Sequence, residues 1–244
     1  MSAEIWDVVT GRMQPLRNLV VAEGGVAVRI RLDPRQSFFV VFDRTERALV
    51  KNDGSKPDEF EVFETVLTLD GPWTVAFDPA WGGPEQVVFD QLVDWTKRPE
   101  EGIRHYSGIA VYSRTFDVPR SAAAESKDRP LYLNLGVVKH LARVKLNGRD
   151  LGAVWTAPQR VRIGDAVQPR DNRLEVEVAN LWINRMIGDE SEPWDGVEDG
   201  KWPAWVLERL PRPTRRLAFA THRFYKKDDP LVESGLIGPV RLMR

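Results

Sequence analysis

Residues 142–152 read Ala142-Arg143-Val144-Lys145-Leu146-Asn147-Gly148-Arg149-Asp150-Leu151-Gly152, and this stretch decides the fold class. Apolar and polar side chains alternate through Leu146, as in a strand with one buried and one wet face. The pair Asn147-Gly148 then supplies the two positive φ values of a type I′ turn. An antiparallel hairpin is the expectation. The same period of two runs outward in both directions. Val26, Val28, Ile30 and Leu32 alternate with Ala27, Arg29 and Arg31, as do Leu131, Leu133 and Leu135 with Tyr132 and Asn134, and Leu174, Val176 and Val178 with Arg173, Glu175 and Glu177. Further strand-like runs lie at 60–69, 73–77, 110–118, 160–163 and 239–242. Helix signals are few, at Asp90–Lys97 and at Pro203–Arg209, the latter with Pro203 at the first helical position. The chain reads as all-β.

The alternation fails between Asp43 and Glu59, where charge is dense and Asn52, Asp53, Gly54, Ser55, Lys56 and Pro57 cluster. A linker at about 44–58 is expected there, separating a short β unit (1–58) from a larger domain (59–244). The first unit is too small to bury an independent sandwich core and reads as the tail of a preceding domain. Eight short strands in the second point to a sandwich or jelly roll.

Composition removes several functions. The 35 Lys and Arg against 36 Asp and Glu leave a formal net charge of −1, so the strong positive field of a nucleic-acid binder is lacking. No apolar run approaches the roughly 18 residues of a membrane span, and the longest, Phe38 to Phe42, is strand-sized. Neither nucleic acid nor membrane is an expected partner. With no Cys, thiolate catalysis and Cys-ligated metal are excluded. The three histidines form no zincin pair, and no Gly-x-Ser-x-Gly elbow, dinucleotide fingerprint or Walker loop occurs. The opening residues carry no basic segment followed by an apolar one, so nothing here directs export, while localisation stays open to a periplasmic or secreted parent.

Candidate chemistry gathers in two places. The loop Gly188–Trp205 carries Asp189, Glu190, Glu192, Asp195, Glu198 and Asp199 beside Trp194, Trp202 and Trp205. Indole faces with planar polar groups suit sugar rings and their hydroxyls. The competing reading is an acidic loop pinned to the core by its tryptophans. Its carboxylates also raise glycoside hydrolysis, which needs a pair about 5–5.5 or 6.5–9.5 Å apart, and a structural calcium ion, although EF-hand spacing is absent. The second place is Asn180-Leu181-Trp182-Ile183-Asn184-Arg185, directly after the strand ending at Ala179, where amides, a guanidinium and an indole meet at a strand end. Trp155, after the hairpin, is a further aromatic at a sheet end. Trp6, Trp73, Trp81 and Trp95 read as core or interface residues.

Four runs resemble, in order, the sugar-binding domain of glycoside hydrolase family 2: Gly71-Pro72-Trp73-Thr74-Val75-Ala76-Phe77, Tyr106 through Phe116, Val144 through Gly152, and Asp171 through Val178. More narrowly, Asn180-Leu181-Trp182-x-Asn184-Arg185-x-Ile187-Gly188-Asp189 and Ser234-Gly235-Leu236-Ile237-Gly238-Pro239-Val240 are similar to the C-terminal region of family 106 α-L-rhamnosidase-like enzymes. The opening Glu4-Ile5-Trp6-Asp7-x-x-Thr10-Gly11, leading to Ser37 through Phe42, resembles the β-rich segment after the catalytic barrel there. The resemblance implies a galactose-binding-like jelly roll, with the catalytic acid and base in a barrel outside this chain, which is then a fragment or a stand-alone descendant of a large hydrolase. A non-catalytic carbohydrate-binding module is the resulting expectation, without cofactor. Trp155, Trp182 and Trp194 would stack on sugar, and Asn180, Asn184, Arg185 and Asp189 would bind hydroxyls. The alternatives are a structural domain packed on a catalytic barrel, and a glycosidase using the loop carboxylates.

Overall fold

A computed structural model describes residues 2–16, 19–22, 24–28, 30–43, 63–119 and 130–244. Contacts divide the chain into two units, Met1–Glu64 and Thr65–Arg244. The charged linker expected at 44–58 lies outside the described residues. The architecture is mainly β, in several antiparallel sheets. Among the described residues no helix is long and apolar enough to cross a membrane.

The first unit holds β1 (Ser2–Trp6), β2 (Met13–Leu16), β3 (Leu19–Ala22), β4 (Gly25–Val28) and β5 (Phe39–Asp43). Strand β1 lies between β2 and β5, and β3 and β4 form a separate hairpin. Alternation turns Ala3 and Ile5 inward to meet Leu16, with Phe38 and Val40 packed against them. The period of two expected over 26–32 carries the ladder only as far as Val28, whose partner Leu19 is the first residue of β3. Ile30 and Leu32 lie beyond it and are exposed, and among the described residues no strand pairs with them.

The second unit is built from β6 (Thr65–Thr68), β7 (Trp73–Ala76), β8 (Val87–Phe89), β9 (Ile109–Phe116), β10 (Tyr132–Asn134), β11 (Val137–Lys139), β12 (Leu141–Leu146), β13 (Arg149–Val154), β14 (Arg160–Arg162), β15 (Asn172–Ala179), β16 (Gly235–Gly238) and β17 (Arg241–Met243). A six-stranded sheet runs β13-β12-β15-β9-β7-β8 and a four-stranded one β14-β10-β17-β6, with β11 and β16 paired apart. Asn147 (φ 52°) and Gly148 (φ 79°) turn the β12–β13 hairpin where the sequence places it. Inward residues of both larger sheets, Val144, Val176 and Tyr112 from one and Leu133 and Leu242 from the other, belong to one apolar core.

Helices depart most from expectation. Of Asp90–Lys97 only Trp95–Lys97 turns, as a short 3-10 segment capped by the Asp94 carboxylate, which accepts from the Thr96 N–H at 3.0 Å. The Pro203 signal yields α3 (Ala204–Leu207), with Pro203 at the cap position before it. Among the described residues, α1 (Glu101–Arg104) and α2 (Ile183–Asp189) are helices that were not expected. The second occupies the segment read as a strand-end corner.

The deepest polar contact in the core is Tyr112. Its hydroxyl accepts hydrogen bonds from Trp95 Nε1 and from the Leu236 N–H, and burial drives its ionisation far above the ordinary phenol range. Strand β16 is thereby tied to β9 and to the 3-10 turn. Replacing Tyr112 with Phe orphans two buried donors at almost unchanged volume, and the expected loss is about 2–4 kcal/mol of unfolding free energy. Urea denaturation of Tyr112→Phe beside the parent protein measures it; a loss below about 0.5 kcal/mol would deny the hydroxyl this role.

Candidate functional site

The site is assembled at one end of the six-stranded sheet. Register places Leu141 opposite Ala179 and Ala179 opposite Ile109, while Val154 pairs with Ala142. Leu141, Ala179 and Ile109 therefore lie at the ends of three adjacent strands on one edge, with Trp155 just past the end of the fourth, β13. In β9, β12 and β15 the neighbouring residues Ala110, Ala142 and Val178 point into the core, so this row faces outward. Trp155 is 63% exposed, Ile109 56% and Leu141 41%. Farther along the same outer face the sheet is polar, with Lys145 paired to Glu177 and Arg143 to Asp150. An exposed apolar row on the outer face of these strands departs from the usual alternation of apolar-in and polar-out.

Beyond Ala179 the chain enters α2. Trp182, 47% exposed, meets Trp81 edge-to-face at 5.2 Å between ring centroids. Three residues on, Arg185 lines a cleft of about 180 Å³ with Glu101, Gly102, His105, Gly188, Ser191 and Lys227 among its walls. Arg185 Nε lies 3.0 Å from Asp189 Oδ1, an ion pair off the hydrogen-bond direction. His105 is held below the usual imidazole range by burial, and then by the positive charges of Arg104 and Arg185.

The other sequence-predicted ligands are consumed by the fold. The Asn180 side chain accepts from the Gly108 N–H and donates to the Tyr106 carbonyl and to Ser234 Oγ. Asn184, almost wholly buried, donates to the Val232 carbonyl and Ser234 Oγ and accepts from the Val232 N–H. Asp189 is also buried, and its second oxygen accepts from the N–H groups of Leu217 and Ala218 at 3.0 and 2.8 Å. Trp194 has the Arg216 and Arg223 guanidinium groups near its ring, at 5.0 and 5.3 Å from the centroid, and donates to the Val197 carbonyl. Thus Arg185 lines the cleft, Trp182 is exposed against Trp81, Trp155 belongs to the apolar row, and Asn180, Asn184, Asp189 and Trp194 bond within the fold.

Arginines hold the acidic loop, while its tryptophans, expected as pins to the core, lie outside the main apolar cluster. Glu190 accepts from both terminal nitrogens of buried Arg216 at 3.0 Å, and Asp195 takes the Arg212 fork at 2.6 and 2.8 Å plus the Thr214 hydroxyl. Trp205 Nε1 donates to the Asp195 carbonyl. Among the described residues no three His, Asp or Glu side chains come together as a metal-holding group, and Asp189, Glu190 and Asp195 of the loop are each paired with arginine. Sequence reading missed Trp81, His105, Ser191, Lys227, Ile109 and Leu141. Only the last two left a signal: each precedes a strand expected at 110–118 or 142–146, and extending the alternation by one residue turns both outward.

Burial works to raise the Asp195 pKa, yet hydrogen bonds from Arg212 and Thr214 and the charges of Arg212 and Arg216 outweigh it and hold the carboxyl below the ordinary carboxylate range. A depressed folded pKa contributes stability above the unfolded value, and that contribution is lost as pH falls through the folded one. Asp195→Asn is expected to cost about 3 kcal/mol at pH 7 and to flatten the acid limb below about pH 4. Thermal melts of both proteins from pH 7 to pH 3 check the pair of effects.

No family model matches the chain. Among solved structures it is similar to a rhamnosidase from Novosphingobium sp. PP1Y, with 35% identity and a TM-score of 0.75 over 99% of this chain and 20% of that one. Among curated proteins it is 38% identical over 180 residues to a putative beta-glucuronidase of Formosa agariphila, covering 72% of this chain and 15% of the relative. The chain thus spans a fifth or less of the length of both. What it is similar to, in sequence and in fold, is one segment of much larger glycoside hydrolases.

Proposed function

We propose that the chain is a non-catalytic accessory region of a glycoside hydrolase that packs, through its apolar sheet end, against the catalytic part of that enzyme. The carrying observation is the outward row Trp155–Leu141–Ala179–Ile109, which stands beyond the ion pairs Lys145–Glu177 and Arg143–Asp150 on the outer face of β12, β13 and β15. Contiguous exposed apolar surface marks an interaction site far more often than a solvent face. The shared core of the two larger sheets supports the jelly-roll reading of the scaffold that presents it. The carboxylates of the 189–199 loop offer little support for a hydrolase in its own right, since Asp189, Glu190 and Asp195 are each committed to arginine.

A second reading, carbohydrate binding, is favoured by one observation. The Trp81–Trp182 pair is exposed beside the Arg185 cleft, giving an aromatic surface next to polar groups. It uses Trp182 and Arg185 of the residues expected from sequence.

The docking reading is tested by supplying the chain and the catalytic part of the parent hydrolase as separate polypeptides. Co-elution on size exclusion is expected, with loss of at least about tenfold in affinity for the double variant Leu141→Asp, Trp155→Asp. Both positions are exposed, so the variant's own stability should stay within about 1 kcal/mol of the parent. Association that ignores these substitutions would end the reading.

A further inference from the structure

Arg185 presents an arginine fork that the fold leaves half used. Its Nε faces Asp189, while its two terminal nitrogens have no hydrogen-bond partner among the described residues. The guanidinium lies between two glycines: a Cβ on Gly188 would come within 2.7 Å of Nη2, and one on Gly82 within 3.6 Å of Nη1. A larger residue at position 188 would fill the space the fork occupies, so glycine there keeps the guanidinium in the cleft wall. Lys227 adds a second cation and Ser191 a hydroxyl on the same wall. Two carboxylates stand nearby, Asp189 buried against Arg185 and Glu101 exposed at the rim. Asp189 turns its other oxygen to the backbone of Leu217 and Ala218, and Glu101 at the rim is paired with Arg104 at 3.2 Å. The depressed His105 reports the resulting field: burial lowers it first, and the Arg104 and Arg185 charges then act in the same direction ahead of the opposing Glu101.

We infer that this cleft binds the carboxylate of a uronic-acid sugar, with Arg185 and Lys227 holding the charge and the neighbouring Trp182 flanking the ring. A planar fork matches a carboxylate better than it matches a hydroxyl. A cleft of about 180 Å³ is below the ~300–1,000 Å³ of sites for drug-sized ligands, which restricts the occupant to a single small residue. Trp182 is the residue just before α2, and its ring partner Trp81 adjoins Gly82, where a Cβ would lie 3.6 Å from Arg185 Nη1. The inference extends the carbohydrate reading from stacking to charge, and it is independent of the docking of the sheet end.

Isothermal titration of the intact chain with D-glucuronate, D-galacturonate, D-glucose, L-rhamnose and acetate provides the test. At least one uronate is expected to bind with a dissociation constant of roughly 1 mM, as its atom count allows, with neutral sugars and acetate about tenfold weaker or silent. Lys227→Ala, at an exposed position, is expected to weaken the uronate severalfold without changing the melting temperature. Arg185→Lys, which keeps a cation beside Asp189, should weaken it further. Neutral sugars binding as tightly as uronates, with loss in Trp182→Ala, would overturn the carboxylate site while leaving the carbohydrate reading standing. Acetate binding as tightly as the uronates would overturn the sugar component. Silence across the panel would overturn the whole inference.

Discussion

The larger unit depends on how residues 232–236 are fastened. After some forty residues of largely irregular chain, this segment must enter a finished core, and every polar group it brings requires a partner there. The Asp94 carboxylate accepts from the Ser234 N–H, the Ser234 carbonyl accepts from the Trp95 N–H, and the Ser234 hydroxyl receives both Asn180 and Asn184. Tyr112 then takes the Leu236 N–H. Remove that clasp and α2 loses its anchor, β16 loses its place beside β11, and the cleft at Arg185 loses one wall's support.

The long acidic loop obeys a related rule. Taken alone it is a row of mutually repelling carboxylates. Half of those carboxylates are paired within the unit: Asp189 with Arg185 four positions before it, and Asp195 and Glu190 with Arg212 and Arg216, 17 and 26 positions after them. Two of those arginines also sit against indoles, Arg212 with Trp205 and Arg216 with Trp194, so guanidinium groups supply both the countercharge and the packing. The near-zero net charge of the whole chain has this local counterpart, which explains how a strongly acidic stretch stays close to the surface of a folded unit.

Much of the β scaffold was legible because its signals are local. Two adjacent residues, Asn147 and Gly148, carry their turn geometry with them, and the faces of β12 and β15 follow from alternation. Helix α2 was not legible: Ile183, Met186 and Ile187 give only one helical repeat, and Gly188 inside it weakens the propensity. The polar residues around it were recognised as hydrogen-bonding groups, but their partners lie 48 to 74 residues away. Whether such an amide serves a ligand or a distant backbone is decided by tertiary structure. Arg185 and Asn184 are adjacent and of similar polarity, yet one lines a cleft and the other is sealed inside.

Gly235 gathers these constraints at one position. Its φ of +96° and the Trp95 ring, 2.4 Å from where a Cβ would sit, close it to every side chain. The following strand can enter the core only if the chain crosses directly over that indole. The Ser-Gly pair at 234–235 is therefore a steric signature: in any polypeptide that folds this way it marks the crossing point, whatever sugar, partner or chemistry the rest of the molecule has acquired.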